Sequence, residues 1–404
     1  MVPTPEATLD ADRSDPALGR AWLRTGVGYT ATRMLGQGTE FVAFVLFARQ
    51  LGADGFGAFW LAFLAARYLG LVGDWGANLR GARDVAARVD PGHVVALLRR
   101  RAIMSTTLGV AYAAVLVAAG RPALALLAVC IVGRGASRDW MRLGNGAGTL
   151  AGLPSVVQGT TLLVLAVLVR SPAQVAAATA AAYGIALLVS ILLNPAPERR
   201  AVGARPTVEG WLLAGSLADQ VSQTADSFLL GGIVSLQAAG VYGAVYRLPN
   251  AAATVVGLVT GVLTARLASV LRQDPSRGPA ELRRALGVSL RVAGGLVLCA
   301  PVARALVVPL LGDPYRSGQT AAALLFLALA VVCAGAPLHA SVLARGDDRR
   351  YVLALAGAAV VNVVANLVLI PRFELSGAAL ATLISSSVLL VALIHLVRSS
   401  PHRT

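Results

Sequence analysis

Apolar runs of about twenty residues recur from residue 25 to residue 397, separated by short polar connections, and this repetition limits the possible folds more than any other feature. A helix of that length spans a ~30 Å hydrocarbon core. No stretch remains for a separate soluble domain, which takes about 100 residues. Composition agrees: 56% of the 404 residues are hydrophobic and 14% are charged, against ~25% charged in soluble domains. Hydropathy predicts helices at about 25–48, 55–77, 103–120, 123–143, 150–169, 173–193, 211–234, 239–263, 285–311, 319–343, 351–370 and 376–397. The expected fold class is an all-α integral membrane protein of about twelve transmembrane helices.

The basic residues fix an expected orientation. All 35 are Arg, giving a net charge of +15. Nucleic-acid binding is one reading of such a charge. The Arg side chains, however, sit in connections between apolar helices, on alternate sides. One side carries 23 of them, in the N-terminal tail, in 78–102, 194–210, 264–284 and 345–350, at Arg142 and in the C-terminal tail. The other side has five: Arg49, Arg121, Arg170, Arg316 and Arg372. The positive-inside rule then places both termini in the cytoplasm, here of a bacterial plasma membrane. The N-terminus lacks the charged, apolar and cleavage-site order of a signal peptide.

With no Lys, a Walker A phosphate loop and a Schiff base are both excluded. Cys130, Cys299 and Cys333 lie in apolar segments without metal-ligand spacing, so no metal site and no cofactor are expected. A proline-containing basic linker divides the chain. The expected organisation is a cytoplasmic tail (1–24), an N-lobe of six helices (25–193), a linker (194–210), a C-lobe of six helices (211–397) and a C-terminal tail (398–404). Phe56-Gly57-Ala58 and Tyr242-Gly243-Ala244 begin equivalent helices of the two halves. Aligning them sets Glu40 opposite Asp226.

Charges inside the membrane point to transport. Seven Arg (Arg33, Arg67, Arg134, Arg138, Arg247, Arg291, Arg304) and five acids (Glu40, Asp74, Asp139, Asp219, Asp226) fall in predicted helices. Each costs ~2.5–3.5 kcal/mol at mid-membrane, so twelve facing lipid would cost on the order of 30–40 kcal/mol. Most must line a shared polar interior. Asp74, Asp139 and Arg291, near helix ends, can instead reach the interface. Helical spacing groups Arg33, Gln37 and Glu40 on one face. It also groups Arg67 with Asp74, Arg134 with Arg138 and Arg142, and Asp219 with Ser222, Gln223 and Asp226. Tyr242, Tyr246 or Arg247, and Asn250 share another face, as do Asn362 and Asn366. Arg outnumber acids by two. Such surplus guanidiniums suit phosphate groups, while Glu40, Asp219 or Asp226 are candidates to carry H⁺ or Na⁺; fixed ion pairs are the structural alternative. Pro249, Pro301 and Pro337 predict kinks.

Three motifs carry a family resemblance. Ala48-Arg49, Leu51-Gly52 and Phe56-Gly57 precede a helix ending in Asp74, Gly76, Arg80 and Arg83. Asp226 to Gly231, then Gly240 to Gly243 and Tyr246-Arg247-Leu248, open the second half. Asn362 and Asn366, Leu369-Ile370-Pro371 and Gly377-Ala378-Ala379 close it. In this order the chain resembles the Wzx-type polysaccharide flippases of the MATE-like (MOP) exporter superfamily. It departs from them where Arg372-Phe373-Glu374 replaces the usual Gly after the Pro.

The resemblance implies two six-helix lobes around a central cavity and alternating access. It implies export of a lipid-linked oligosaccharide on polyprenyl pyrophosphate, with membrane lipids, a coupling ion (H⁺ or Na⁺) and the polysaccharide polymerase machinery as candidate partners. The cavity cations matching that role are Arg33, Arg67, Arg134, Arg138 and Arg247. A drug-extruding MATE transporter shares the fold but calls for acids and aromatics in the cavity, and aromatics are 5% here. No motif of a membrane-bound enzyme is present.

Overall fold

The computed structural model describes residues 16–74, 77–86, 91–195, 210–273, 275–345 and 347–399. Most of the expected linker (196–209) and the two tails to residue 15 and from residue 400 lie outside the described residues. No strand occurs among those described. The helices are α1 (Pro16–Asp74), α2 (Ala77–Ala86), α3 (Pro91–Ala118), α4 (Pro122–Ala125), α5 (Ala128–Ala136), α6 (Asp139–Gly144), α7 (Gly148–Ala166), α8 (Pro172–Leu193), α9 (Gly210–Ile233), α10 (Leu236–Gln273), α11 (Gly278–Leu311), α12 (Gln319–Ala344) and α13 (Asp348–Ser399).

Seven described helices are long and apolar enough to cross a membrane. Two of these, α1 and α13, are hairpins. The Phe44 and Phe63 rings lie 5.3 Å apart, where a straight helix would separate them by ~28 Å. The chain reverses at Gly52, whose φ of 65° and ψ of 178° are open to glycine alone. In α13, Asn362 Nδ2 donates to Ser385 Oγ at 3.2 Å across a reversal at Glu374. The other expected crossings fall on helical chain at 122–144, 210–233 and 236–273. Helices α10, α11 and α12 continue past Pro249, Pro301 and Pro337.

Glu374 takes φ 47°, the one positive φ among described non-glycine residues. It sits in the segment where the family pattern has glycine. A side chain in this region costs on the order of 1 kcal/mol or more. Glu374→Gly is expected to raise the unfolding temperature by a few degrees, read by thermal denaturation in detergent. An unchanged or lower temperature would show that Glu374 holds the turn by contacts that outweigh its backbone.

The first half (α1 to α8) and the second (α9 to α13) meet almost entirely through α1, which packs on α10, α9 and α11. The contact is closest near the tip of the α1 hairpin. A Cβ added to Gly57 would overlap the Leu236 carbonyl oxygen, and one added to Gly240 would overlap the Ala53 carbonyl oxygen. Trp60 fills the space beside Gly243 in the same manner. These contacts are reciprocal, so α1 and α10 are related by a local two-fold that pairs Gly57 with Gly240. The alignment of Gly57 with Gly243 drawn from sequence is therefore three residues out of register, and Glu40 does not correspond to Asp226.

The same end gathers the connections poor in Arg. Gln50 Nε2 donates to the Ala166 carbonyl at 2.9 Å, and the Tyr315 hydroxyl donates to the Ala48 carbonyl at 2.7 Å. Inside the α1 hairpin, Phe44, Phe47, Phe56, Phe59, Phe63 and Trp60 form one buried aromatic cluster with ring centroids 5.3–6.4 Å apart. That spacing favours edge and offset contacts.

Candidate functional site

Polar residues line the first arm of α1 on the side of the aromatic cluster away from the tip, and Glu40 among them meets α10. Arg33 and Gln37 are exposed on the first arm of α1, and Glu40 is half-buried one turn further on. Arg33 donates to the Tyr29 hydroxyl at 2.9 Å. Glu40 receives a hydrogen bond from Gln158 of α7 at 3.4 Å and pairs with Arg247 of α10 at 3.5 Å. This ion pair joins the two halves. The Arg247 guanidinium lies 3.6 Å from the Phe44 ring centroid and 4.8 Å from that of Trp60, within cation–π range. Its Nε and Nη2 are buried without a hydrogen-bond partner among the described residues.

Arg67 and Arg134 form the second feature. Arg67 lies on the other arm of α1. Arg134, near the end of α5, lays its aliphatic stem across Gly70, one turn along from Arg67. Both cations thus meet the same arm of α1. Among the described residues neither has a carboxylate within ion-pair distance, and Arg134 Nε is buried without a partner.

The stripe of Arg134, Arg138 and Arg142 expected from helical spacing does not exist, because the helix breaks after Ala136. Ser137 is extended (φ −60°, ψ 148°) and Arg138 caps the next short helix. Arg138 then donates to the Asn194 carbonyl and Arg142 to the Leu193 carbonyl, both at 3.1 Å. Each satisfies an open carbonyl at the C-terminus of α8. Arg138 is thus placed apart from Arg67 and Arg134.

The acids of α9 also divide. Asp219 is exposed and accepts from Gln223 at 2.7 Å. Asp226 is fully buried and takes bonds from the Tyr242 hydroxyl (2.5 Å), the Ser227 amide (2.8 Å) and the Thr382 hydroxyl (3.4 Å). No Arg neutralises it among the described residues. Asn362 and Asn366, also buried, lie on α13 and bond to each other and to Ser385. On α10, Tyr242 turns toward Asp226 and stacks with Tyr246, while Arg247 turns toward α1. Spacing alone had set these on one face. Asn250 is half-buried one turn beyond Arg247.

One buried charge escaped the sequence reading. Arg101 was assigned to a basic connection, but α3 begins at Pro91 and encloses it at 2% exposure. Its partner is Asp74, at 2.6 Å, which is also buried. The signal available in the sequence was that Arg99, Arg100 and Arg101 directly continue into an apolar helix. Gln158, a lone amide in apolar α7, was also missed.

No family model matches the chain, and no curated protein matches it in sequence. Solved structures do match its fold. The lipid II flippase MurJ in an inward closed conformation superposes with a TM-score of 0.66 at 12% identity, over 94% of this chain and 88% of that one. An inward-facing multidrug resistance MATE family transporter of the MOP superfamily gives 0.65 at 15% identity, over 90% and 96%. A MOP superfamily transporter from Pyrococcus furiosus, described by a binding pocket of reverse polarity, gives 0.55 at 16%, over 93% and 95%. At these identities the likeness is one of architecture, and it extends over nearly the whole chain: the protein has the all-helical, two-lobed membrane fold of the MOP superfamily transporters.

Proposed function

We propose that the chain is a flippase that carries a polyprenyl-pyrophosphate-linked oligosaccharide from the cytoplasmic to the outer leaflet by alternating access, for cell-surface polysaccharide synthesis. The observation that carries this reading is the pair of guanidinium side chains at Arg67 and Arg134, which meet the same arm of α1 one turn apart, with no carboxylate in ion-pair distance of either among the described residues. Two adjacent unpaired cations repel, and a pyrophosphate between them turns that repulsion into attraction on both sides. An exporter of organic cations needs an acid in this place. In this reading the exposed Arg33 and Gln37 offer further polar groups on the first arm of α1.

With the Arg-rich side cytoplasmic, the closed hairpin tip faces outward and the polar faces open inward.

Deleting the gene is expected to leave lipid-linked glycan on the cytoplasmic leaflet, out of reach of an impermeant sugar-modifying probe until the cells are opened. Equal amounts on both leaflets in deletion and parent would sink the reading and direct attention to small-molecule export.

Asp226 is the acid best placed to couple transport to an ion. It is a buried carboxylate with hydroxyl and amide neighbours and no fixed cation, so a proton or Na⁺ is the natural counter-charge. Asp226→Asn is expected to fold, because the amide keeps its shape, and to lose the dependence of initial transport rate on pH or Na⁺. A variant with undiminished ion dependence would remove Asp226 from the coupling role and leave Glu40 and Asp219.

A further inference from the structure

We propose that Arg101 and Asp74 are positioning residues that hold the broken helix between α5 and α6 and thereby aim Arg134 at the anion; the proposal rests on the reading of Arg67 and Arg134 as the anion site. In a continuous helix the Arg138 amide would donate to the Arg134 carbonyl. Here it donates to Ser190 Oγ at 2.8 Å instead. The Arg134 carbonyl is left to Arg101 Nη2 at 3.3 Å and to Ser137 Oγ at 3.1 Å. The Ser137 carbonyl, also outside helical bonding, accepts from Arg101 Nη1 at 3.1 Å and Trp140 Nε1 at 3.2 Å. One guanidinium therefore satisfies two of the carbonyls that the break exposes.

The other partner of that guanidinium explains the placement. Arg101 Nη2 meets Asp74 Oδ1, on the arm of α1 that carries Arg67 two turns earlier. The stem of Arg134 crosses Gly70 between them. Helix α3 can sit this close because Gly73 and Gly135 both face Ser105, one turn along from Arg101. The Asp74–Arg101 pair thus ties the backbone that bears Arg67 to the backbone that bears Arg134. It sets the gap between two cations that would otherwise move apart. Lys in place of Arg101 keeps the charge but not the planar fork that reaches three acceptors.

The test measures inorganic pyrophosphate binding to the full chain in lipid nanodiscs, together with thermal unfolding. Arg101→Lys is expected to weaken binding roughly tenfold and to have no further effect when Arg134 is already Ala. Asp74→Asn, which keeps the carboxylate's shape, is expected to behave alike and serves if Arg101→Lys does not fold. Equal losses with and without Arg134, or lowered stability with binding unchanged, overturn the positioning role alone. Should Arg134→Ala itself leave pyrophosphate binding unchanged, both the role and the anion site fall.

Discussion

Replacing Arg67 and Arg134 together by Ala is expected to abolish transport while leaving the protein as stable as before, or more so. Each guanidinium–phosphate contact contributes about 1.5–3 kcal/mol. Losing two lowers transport at subsaturating substrate by ~10²–10⁴-fold. Stability moves the other way because neither side chain has a carboxylate within ion-pair distance among the described residues, and Arg134 Nε is buried without a partner. Removing Arg134 frees a polar group from burial. Cells with this variant should retain lipid-linked glycan on the inner leaflet, and the purified protein should unfold no earlier than the parent. A matched loss of stability and transport would mean that these residues hold the helices together, which would defeat the anion site.

Glu40→Gln should shift the protein toward a state open at the hairpin tip. In the closed state Arg247 is buried between Phe44 and Trp60, and Glu40 is its one carboxylate partner among the described residues. Leaving a buried charge without its partner costs ~3–5 kcal/mol. The 3.5 Å separation and the cation–π contacts reduce this to about 2 kcal/mol, a ~30-fold change in the ratio of states. Opening hydrates Arg247 and removes the penalty. A single cysteine placed near the tip, at Ala53, should react faster with an impermeant thiol reagent in Glu40→Gln than with Glu40 intact. Replacing Arg247 by Gln as well should restore slow labelling. Equal rates in both backgrounds would show that the pair does not hold this end shut.

The sequence made the membrane class legible because hydropathy and Arg alternation depend on composition along the chain, not on contacts. The hairpins at Gly52 and Glu374 fall where Arg-poor connections were expected. Helical spacing failed where the helix itself fails. Nothing in Gly133-Arg134-Gly135-Ala136-Ser137 announces a break, yet the Ser190 hydroxyl that captures the Arg138 amide is fifty-two positions away. Spacing likewise could not separate Tyr242 from Arg247, since their partners lie in different halves. Arg101 was lost because a charge adjoining an apolar run reads as a helix end until its carboxylate, twenty-seven residues earlier, is seen beside it.

The aromatic cluster inside α1 has a mechanical meaning. Its rings come from both arms and fill the space between them, with Phe44 of one arm touching Phe56, Trp60 and Phe63 of the other. Spreading the arms would open a cavity lined by five phenylalanines and a tryptophan, and the loss of even one such ring from a core costs ~3–5 kcal/mol. The hairpin is therefore a stiff lever. On the proposed reading, an anion bound near Arg67 on one arm would move Glu40 on the other arm with it, and Glu40 pairs with Arg247 at the crossing with α10. Spin labels on the two arms should keep their mutual distance through the transport cycle while both change their distance to α10.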